Sequence, residues 1–256
     1  VECVHAGAVG TGPNGDLVRA ALAAEGVTVS APPVADLDTG VCVVLVEPSA
    51  ERTFVTTQGA ERQITVQSLA ASNPVPGDLV CVSGYSLVGR TRDPLVEWLD
   101  TLADGVVVVL DPGATFAGLA EPLRDRVLAR TDVWTGNADE AAALTGVRGM
   151  REAAEVVATL LAPDAVTIVR DGARGCAVRE SGRTTHCPGH PQRPVDTNGA
   201  GDTHTGVLLA ERATGASWPE AAARANTAGA IKVTRRGPDT APTRAEIDAF
   251  LAALPR

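Results

Sequence analysis

Lysine is nearly absent from this chain: among 22 basic residues Lys232 is the single lysine, and every other one is arginine. A phosphate-binding loop of the G-x-x-x-x-G-K-[ST] kind is thereby excluded, because it needs a lysine after its glycines and Lys232 stands in no such context. Basic runs are missing too. None is longer than Arg235-Arg236, and the net charge is -9. Nucleic acid is therefore not expected as a partner, since a phosphate backbone calls for clustered positive charge; a nucleotide needs only a few local groups. No apolar stretch approaches the roughly 18 residues of a membrane span; the longest, such as VVVVL at 106–110, are strand-sized. The opening VECVHAGAVG lacks a basic region followed by a long apolar one, so a cytoplasmic protein is expected. Cysteine pairs are lacking as well: the five, at 3, 42, 81, 176 and 187, are scattered and form no C-x-x-C. Cys3, Cys42, Cys81 and Cys176 read as small apolar residues in buried strands of a reduced protein. The stretch HCPGH offers His186, Cys187 and His190, but without a second ligand pair it reads as a connecting loop rather than a metal site.

What is present describes an ordinary globular chain. Its 256 residues, 45% hydrophobic and 21% charged, suffice for a sizeable core. Apolar, β-rich runs fall at 3–9, 41–46, 53–57, 78–84, 105–111, 166–171 and 175–179, and helical patterns at 16–25, 93–102, 119–129, 138–144 and 151–161. The last third is mainly helical, at about 200–213, 218–233 and 243–253, two of these helices opening with the capping boxes Ser217-x-x-Glu220 and Thr243-x-x-Glu246. Such alternation implies a doubly wound, mostly parallel α/β sheet covered by helices on both faces. Residues 39–57 are the exception: two strands flank EPSAER with no helix between them, which reads as a β-hairpin serving as a flap or lid. With no repeat or long linker, a single domain over 1–256 is expected.

Ligands of open α/β sheets bind at the carboxyl ends of the strands, and polar, glycine-bearing stretches cluster there: SGYS, DPGA, TGNADE, RDGARG and DTNGAGD. In the last, Gly199, Ala200 and Gly201 open a helix with almost no side chain, so an anion could touch their amides, and Asp202 follows in the first turn. A carboxylate beside a bound anion makes sense as a base or as a partner of a cation; it could equally just favour the helix N-terminus. Asn137 and Glu140 form an N-x-x-E pair, which spacing alone assigns to a capping box ahead of a pair of water-mediated Mg²⁺ ligands. Gly172 and Gly175 in VRDGARGCAV fit a hairpin turn and fit a backbone that approaches a nucleotide; the motif does not choose.

Taken in order, DTNGAGD with its helix, GAVGTGPNGDLVRAALAAEGV, ERTFVTTQGA, SGYSL, DPG, NADEAAALTG, VRDGARG and ANTAGAIKVTRRGP resemble the ribokinase-like (PfkB) sugar and nucleoside kinases along the whole chain. The resemblance implies an ATP-dependent sugar kinase of ribokinase-like fold with a small β lid. In it Asp202 would be the base for the attacking hydroxyl, and the amides of Gly199, Ala200 and Gly201 the anion hole. Asn137 and Glu140 would organise Mg²⁺ through water; Arg170, Gly172 and Gly175 would lie along the nucleotide phosphates, and Asn226 on the adenine side. Asp196 and Asn198, with carbonyls around 235–237, match a monovalent-cation (K⁺) site. Dimers pairing through the lid are frequent in the family. A nucleoside kinase of the same fold and a non-catalytic ligand-binding homologue are the alternatives. Departures are visible: His204 stands where phenylalanine is usual, Asn198 where threonine is common, and DPGATF lacks the D-x-N-x-R of many fructokinases and ketodeoxygluconate kinases. The resemblance also starts downstream of a first strand and a Gly-Gly loop that contact sugar in the family, so the N-terminal portion of the fold is expected to be absent.

Overall fold

The computed structural model describes residues 1–46 and 52–254. The chain divides into two compact units, one of Glu2–Val75 with Ser86–Asp104, the other of Pro76–Tyr85 with Gly105–Arg256 and Val1. No helix of the described residues is long and apolar enough to cross a membrane.

In the first unit, strands β1 (Val4–His5) and β2 (Thr28–Val29) pair in parallel and are linked by helix α1 (Pro13–Ala24). The helix begins ahead of the expected Asp16 because Pro13 suits a first-turn position and a distant carboxylate takes its free amides. Asp38 accepts from the N–H of Gly15 at 2.9 Å and of Asn14 at 3.2 Å, and from its neighbour Thr39 at 2.8 Å. Desolvation raises the Asp38 pKa, but these donors outweigh it and hold the carboxyl below its usual value. Strands β3 (Cys42–Val46) and β4 (Arg52–Thr56) form the expected antiparallel hairpin, in register from Cys42↔Thr56 to Val46↔Arg52. Residues 47–51, between the two strands, lie outside the described residues. Glu61 closes its base by accepting from the N–H groups of Gly40 and Gly59, both at 2.8 Å. A short helix α2 (Val66–Ala70), opened by a reciprocal Thr65–Ser68 cap, was not foreseen, and helix α3 (Arg92–Leu99) buries Leu95, Val96, Trp98 and Leu99.

The second unit holds the main sheet. Its strands are β5 (Leu79–Ser83), β6 (Val107–Asp111), β7 (Val133–Asn137), β8 (Val166–Arg170), β9 (Cys176–Glu180) and β10 (Arg183–Cys187), in the order β10-β9-β8-β7-β6-β5. Strands β5 to β8 run parallel and β9 and β10 antiparallel, a mostly parallel sheet as expected. Of the stretch HCPGH, expected to be a loop, His186 and Cys187 end β10 while residues 188–190 are loop; β10 returns from β9 through Ser181 (φ 46°) and Gly182 (φ 74°), a two-residue turn with both residues left-handed. His186 there meets the Arg174 carbonyl at 3.0 Å and His190 packs edge-on to Phe250. The expectation of four buried cysteines is corrected: Cys3, Cys42 and Cys81 are exposed, while Cys176 and Cys187 are buried. Burial follows position across the strand rather than chemistry, and an edge or outward-facing site leaves a thiol in water.

Helices α4 (Glu121–Ala129), α5 (Ala138–Thr145), α6 (Met150–Ala158), α7 (Ala200–Ala213), α8 (Trp218–Lys232) and α9 (Arg244–Ala252) complete this unit. Val166 and Ile168 share a core cluster with Leu208, Trp218, Ala221 and Ala225 of α7 and α8. The intervening Thr167 and Val169 are also fully buried, so by the two-residue period of a strand both faces of β8 are covered; α6 packs on β8 and β9. Buried Glu211 of α7 joins Arg224 of α8 and Arg244 of α9, each at 2.9 Å.

Candidate active site

Strand register sets up the site. Ser83 lies opposite Asp111 and Asn137 opposite Arg170, and the register Leu110↔Trp134 carries β7 and β8 two residues past the ends of β5 and β6, a stepped row of carboxyl ends where open α/β sheets take ligands. At this edge the Arg170 guanidinium is the hub. Its Nη1 donates to the Gly201 carbonyl at 3.0 Å, and its Nη2 to the Thr135 carbonyl at 3.4 Å. The same nitrogen lies 3.4 Å from Asp111 Oδ1 and 3.9 Å from Glu140 Oε2, while Arg170 Nε is buried with no hydrogen-bond partner among the described residues. Asp111 is further held by the Thr205 hydroxyl at 2.8 Å.

The α7 start is formed by Gly199 in the left-handed region (φ 76°), directly before Ala200. A side chain there would be strained by that φ, and its Cβ would stand 3.1 Å from the Pro238 carbonyl oxygen. The Ala200 N–H turns to the Thr197 carbonyl at 3.3 Å; the amides of Gly199 and Gly201 have no acceptor among the described residues. Asp202 is exposed, and its carboxylate likewise has no partner among them.

Asn137 and Glu140 do form the reciprocal capping box of α5: Glu140 Oε2 accepts from the Asn137 N–H at 2.7 Å and Asn137 Oδ1 from the Glu140 N–H at 2.8 Å. Burial raises the Glu140 pKa, the Asn137 amide and the Arg170 charge pull it back, and Asp111 and Asp139 add to the rise. Asn226 is buried with its amide fully engaged: Nδ2 donates to the carbonyls of Cys187 (3.0 Å) and Pro188 (3.2 Å), leaving Oδ1 to face His204 Nε2 at 3.1 Å. His204 is consequently a neutral Nε2–H donor, its pKa pushed down to about 3 by burial first and the Arg170 charge second. Gly172 (φ 51°) opens the β8–β9 turn onto free space, whereas a Cβ on Gly175 would fall 2.1 Å from the Cys187 carbonyl oxygen. Asp196 ties two loops, accepting from the N–H of Asn198 at 2.9 Å and of Gly237 at 3.0 Å.

The sheet edge thus brings Asn137, Glu140, Arg170 and Gly201 together, with Asp202 one residue on, while Asn226 and Gly175 lie in the packing behind it. Sequence reading assigned no role to Asp111 or Thr205. The signal for Asp111 was its place directly after VVVVL, at a strand's carboxyl end; Thr205 gave none, because only folding sets it against Asp111.

Both the fold and the site have counterparts among known proteins. An Escherichia coli protein provisionally assigned as ribokinase II, solved with ATP and Mg²⁺, superposes with a TM-score of 0.82 at 26% identity, over 98% of this chain and 83% of that one. The molecule is therefore a ribokinase-like α/β phosphotransferase. Ribokinase of Haemophilus influenzae is 30% identical over 95% of this chain and 79% of its own length. An uncharacterised sugar kinase of Escherichia coli K12, YegV, is 34% identical over 96% of this chain and 77% of its own. The pfkB family carbohydrate kinase model matches residues 2–244, and the chain belongs to that family, whose members phosphorylate an alcohol group.

Proposed function

We propose that this chain transfers the γ-phosphoryl group of ATP to a hydroxyl of a sugar, with Asp202 as the base. The hydroxyl oxygen forms its bond to the γ-phosphorus as the bond to the leaving ADP oxygen breaks, and the hydroxyl proton passes to the Asp202 carboxylate. The observation that carries this reading is the pairing of an exposed, partnerless carboxylate with an adjacent helix start whose Gly199 and Gly201 amides have no acceptor. Those amides, with that of Ala200 once it leaves Thr197, would cradle the developing charge. Arg170, which already donates to the Gly201 carbonyl, would steady the turn and offer its guanidinium to phosphate oxygens; Gly172 would let the nucleotide backbone pass close. Gly175 and Asn226 would shape the wall on the nucleotide side.

The donor set fits Mg²⁺. Asp111 and Glu140 share one guanidinium, and the Glu140 pKa is raised by burial first, with smaller contributions from Asp111 and Asp139, so a divalent cation beside the two carboxylates would favour the charged form. Asn137 and Glu140 would hold the ion through water, as Mg²⁺ prefers. When bound it neutralises charge on the ATP phosphates. Asp196 and Asn198 are the residues to which a monovalent cation such as K⁺ would be assigned.

The whole of 1–256 is read as one kinase domain, working in the cytoplasm where ATP is at hand. Hairpin β3–β4, which exposes Val43, Leu45, Phe54 and Val55, is read as part of a lid that pairs two copies; a sedimentation mass of one chain would refute the pairing. The test of the activity is a coupled ADP-release screen over ribose, fructose, ketodeoxygluconate, adenosine and other nucleosides. Turnover of a sugar is expected, and turnover of nucleosides alone would move the acceptor to that class. Asp202→Asn should lower kcat by about 1,000-fold while ATP·Mg²⁺ affinity stays within about threefold; unchanged turnover would end the base assignment.

A further inference from the structure

The one lysine of the chain sits in a place chemistry disfavours. Lys232, the last residue of α8, is 0% exposed, and its Nζ has neither a hydrogen-bond partner nor an ion pair among the described residues. A buried ammonium whose N–H groups are unmet is costly, and a hydrophobic residue of the same length would relieve that cost. Its surroundings suggest what offsets it. The Lys232 Cε lies 3.6 Å from where a Cβ of Gly199 would stand, and one turn earlier a Cβ on Gly229 would come within 4.0 Å of the Ala200 carbonyl oxygen. The end of α8 therefore abuts the start of α7, and the tip of the Lys232 side chain reaches the turn at Gly199, whose amide, like that of Gly201, has no acceptor among the described residues.

We propose that Lys232 is a positioning residue for the anion at the α7 start: a fixed cation that adds a full charge to the partial charges of the amides there. The proposal rests on reading this turn as the phosphoryl site. Water is excluded around the ammonium, so its field reaches the turn little screened, and it gains a counter-charge only when an anion arrives. A compact point charge suits this enclosed space, where a planar guanidinium does not, in a chain whose every other basic residue is arginine. Because the charge is covalently held, turnover would not depend on the monovalent cation assigned above to Asp196 and Asn198, even where those residues bind one.

The test uses the full chain. Lys232→Met keeps length and removes charge; kcat should fall about 30-fold with ATP·Mg²⁺ affinity within threefold, while Tm stays equal or rises. Calorimetry with ADP·Mg²⁺ and tetrafluoroaluminate, a mimic of the transferring phosphoryl group, should show about 30-fold weaker capture of the fluoride complex without change for ADP·Mg²⁺ alone. Lys232→Ala should recover turnover with methylammonium, ammonium or K⁺, whereas the wild type should respond to none of them. A Lys232→Met protein with wild-type kcat and wild-type capture, or with a lowered Tm and no change in either, would reduce the lysine to a packing residue at the end of α8 and overturn the proposal. So would a wild type that needs K⁺. Failure of the wild type both to turn over any acceptor and to capture the mimic would instead overturn the reading of the turn on which the proposal rests.

Discussion

Two helices of this molecule begin in glycine-rich loops, and they use the same local chemistry to opposite ends. At α1 the segment GTGPNG is filled by the chain itself: Asp38 occupies the Gly15 and Asn14 amides, and its Cγ stands 2.3 Å from where a Cβ of Gly12 would be. A Cβ on Gly15 would sit 2.0 Å from the Gly10 carbonyl oxygen. At α7 the segment NGAGD leaves the Gly199 and Gly201 amides without acceptors, and the nearest atom to a Gly201 Cβ is the movable tip of Arg170 at 2.9 Å. The first set of glycines is required by packing. The second leaves backbone amides bare, as the proposed phosphoryl site requires. A helix N-terminus attracts anions in both cases; what separates a structural start from a binding one is whether the protein has supplied the anion.

Substitutions can break this contrast. Gly15→Ala drives a methyl into backbone and should destabilise the fold by about 3 kcal/mol or more, seen in a denaturant midpoint. Gly201→Ala should leave that midpoint nearly unchanged and lower kcat about 30-fold, roughly 2 kcal/mol of barrier, because Arg170 and the phosphoryl oxygens compete with the new methyl. If both substitutions damage only stability, the contrast is lost.

His204 probes what lies beneath the open turn. Its native pKa of about 3 is below the unfolded value of 6.5, so as pH falls through 6.5 the unfolded chain takes a proton and the native one does not. Stability is therefore lost on acidification, by about 2 kcal/mol between pH 6.5 and pH 5 from this group. His204→Gln, which can still donate to Asn226, should remove that component from urea titrations at the two pH values; an unaltered slope would refute it. The smallest effect belongs to the filled start. The depressed Asp38 pKa means its contribution is present above the ordinary value of 3.8 and is lost as pH drops below it. Asp38→Asn should lower Tm at pH 7, and the gap from wild type should narrow as pH falls below 3.8, with kcat for the sugar unaltered.

Much of this was legible from residue order. The α7 boundaries, the capping boxes at Ser217 and Thr243, the β3–β4 hairpin and the parallel strands all follow from period, cap and turn chemistry, which act over a few residues. Strand β10 was not legible, because HCPGH carries turn-forming residues and its pairing partner Cys176 is eleven positions away. Nor was α2, whose five residues are too few to show a period. At the site, Asp202 and the small residues before it were visible as a motif, while Arg170 as the hub was not: its partners Asp111, Thr135 and Gly201 come from three separate stretches.

The order of motifs along the sequence determined the family and with it the class of chemistry, and the bare helix start with its carboxylate was visible because it needs only neighbouring residues to exist. Only the tertiary structure decided which helix start is filled and which is left open, and that the lone lysine lies buried against the open one. Occupancy and burial depend on atoms brought together from distant parts of the chain, and no local pattern encodes them.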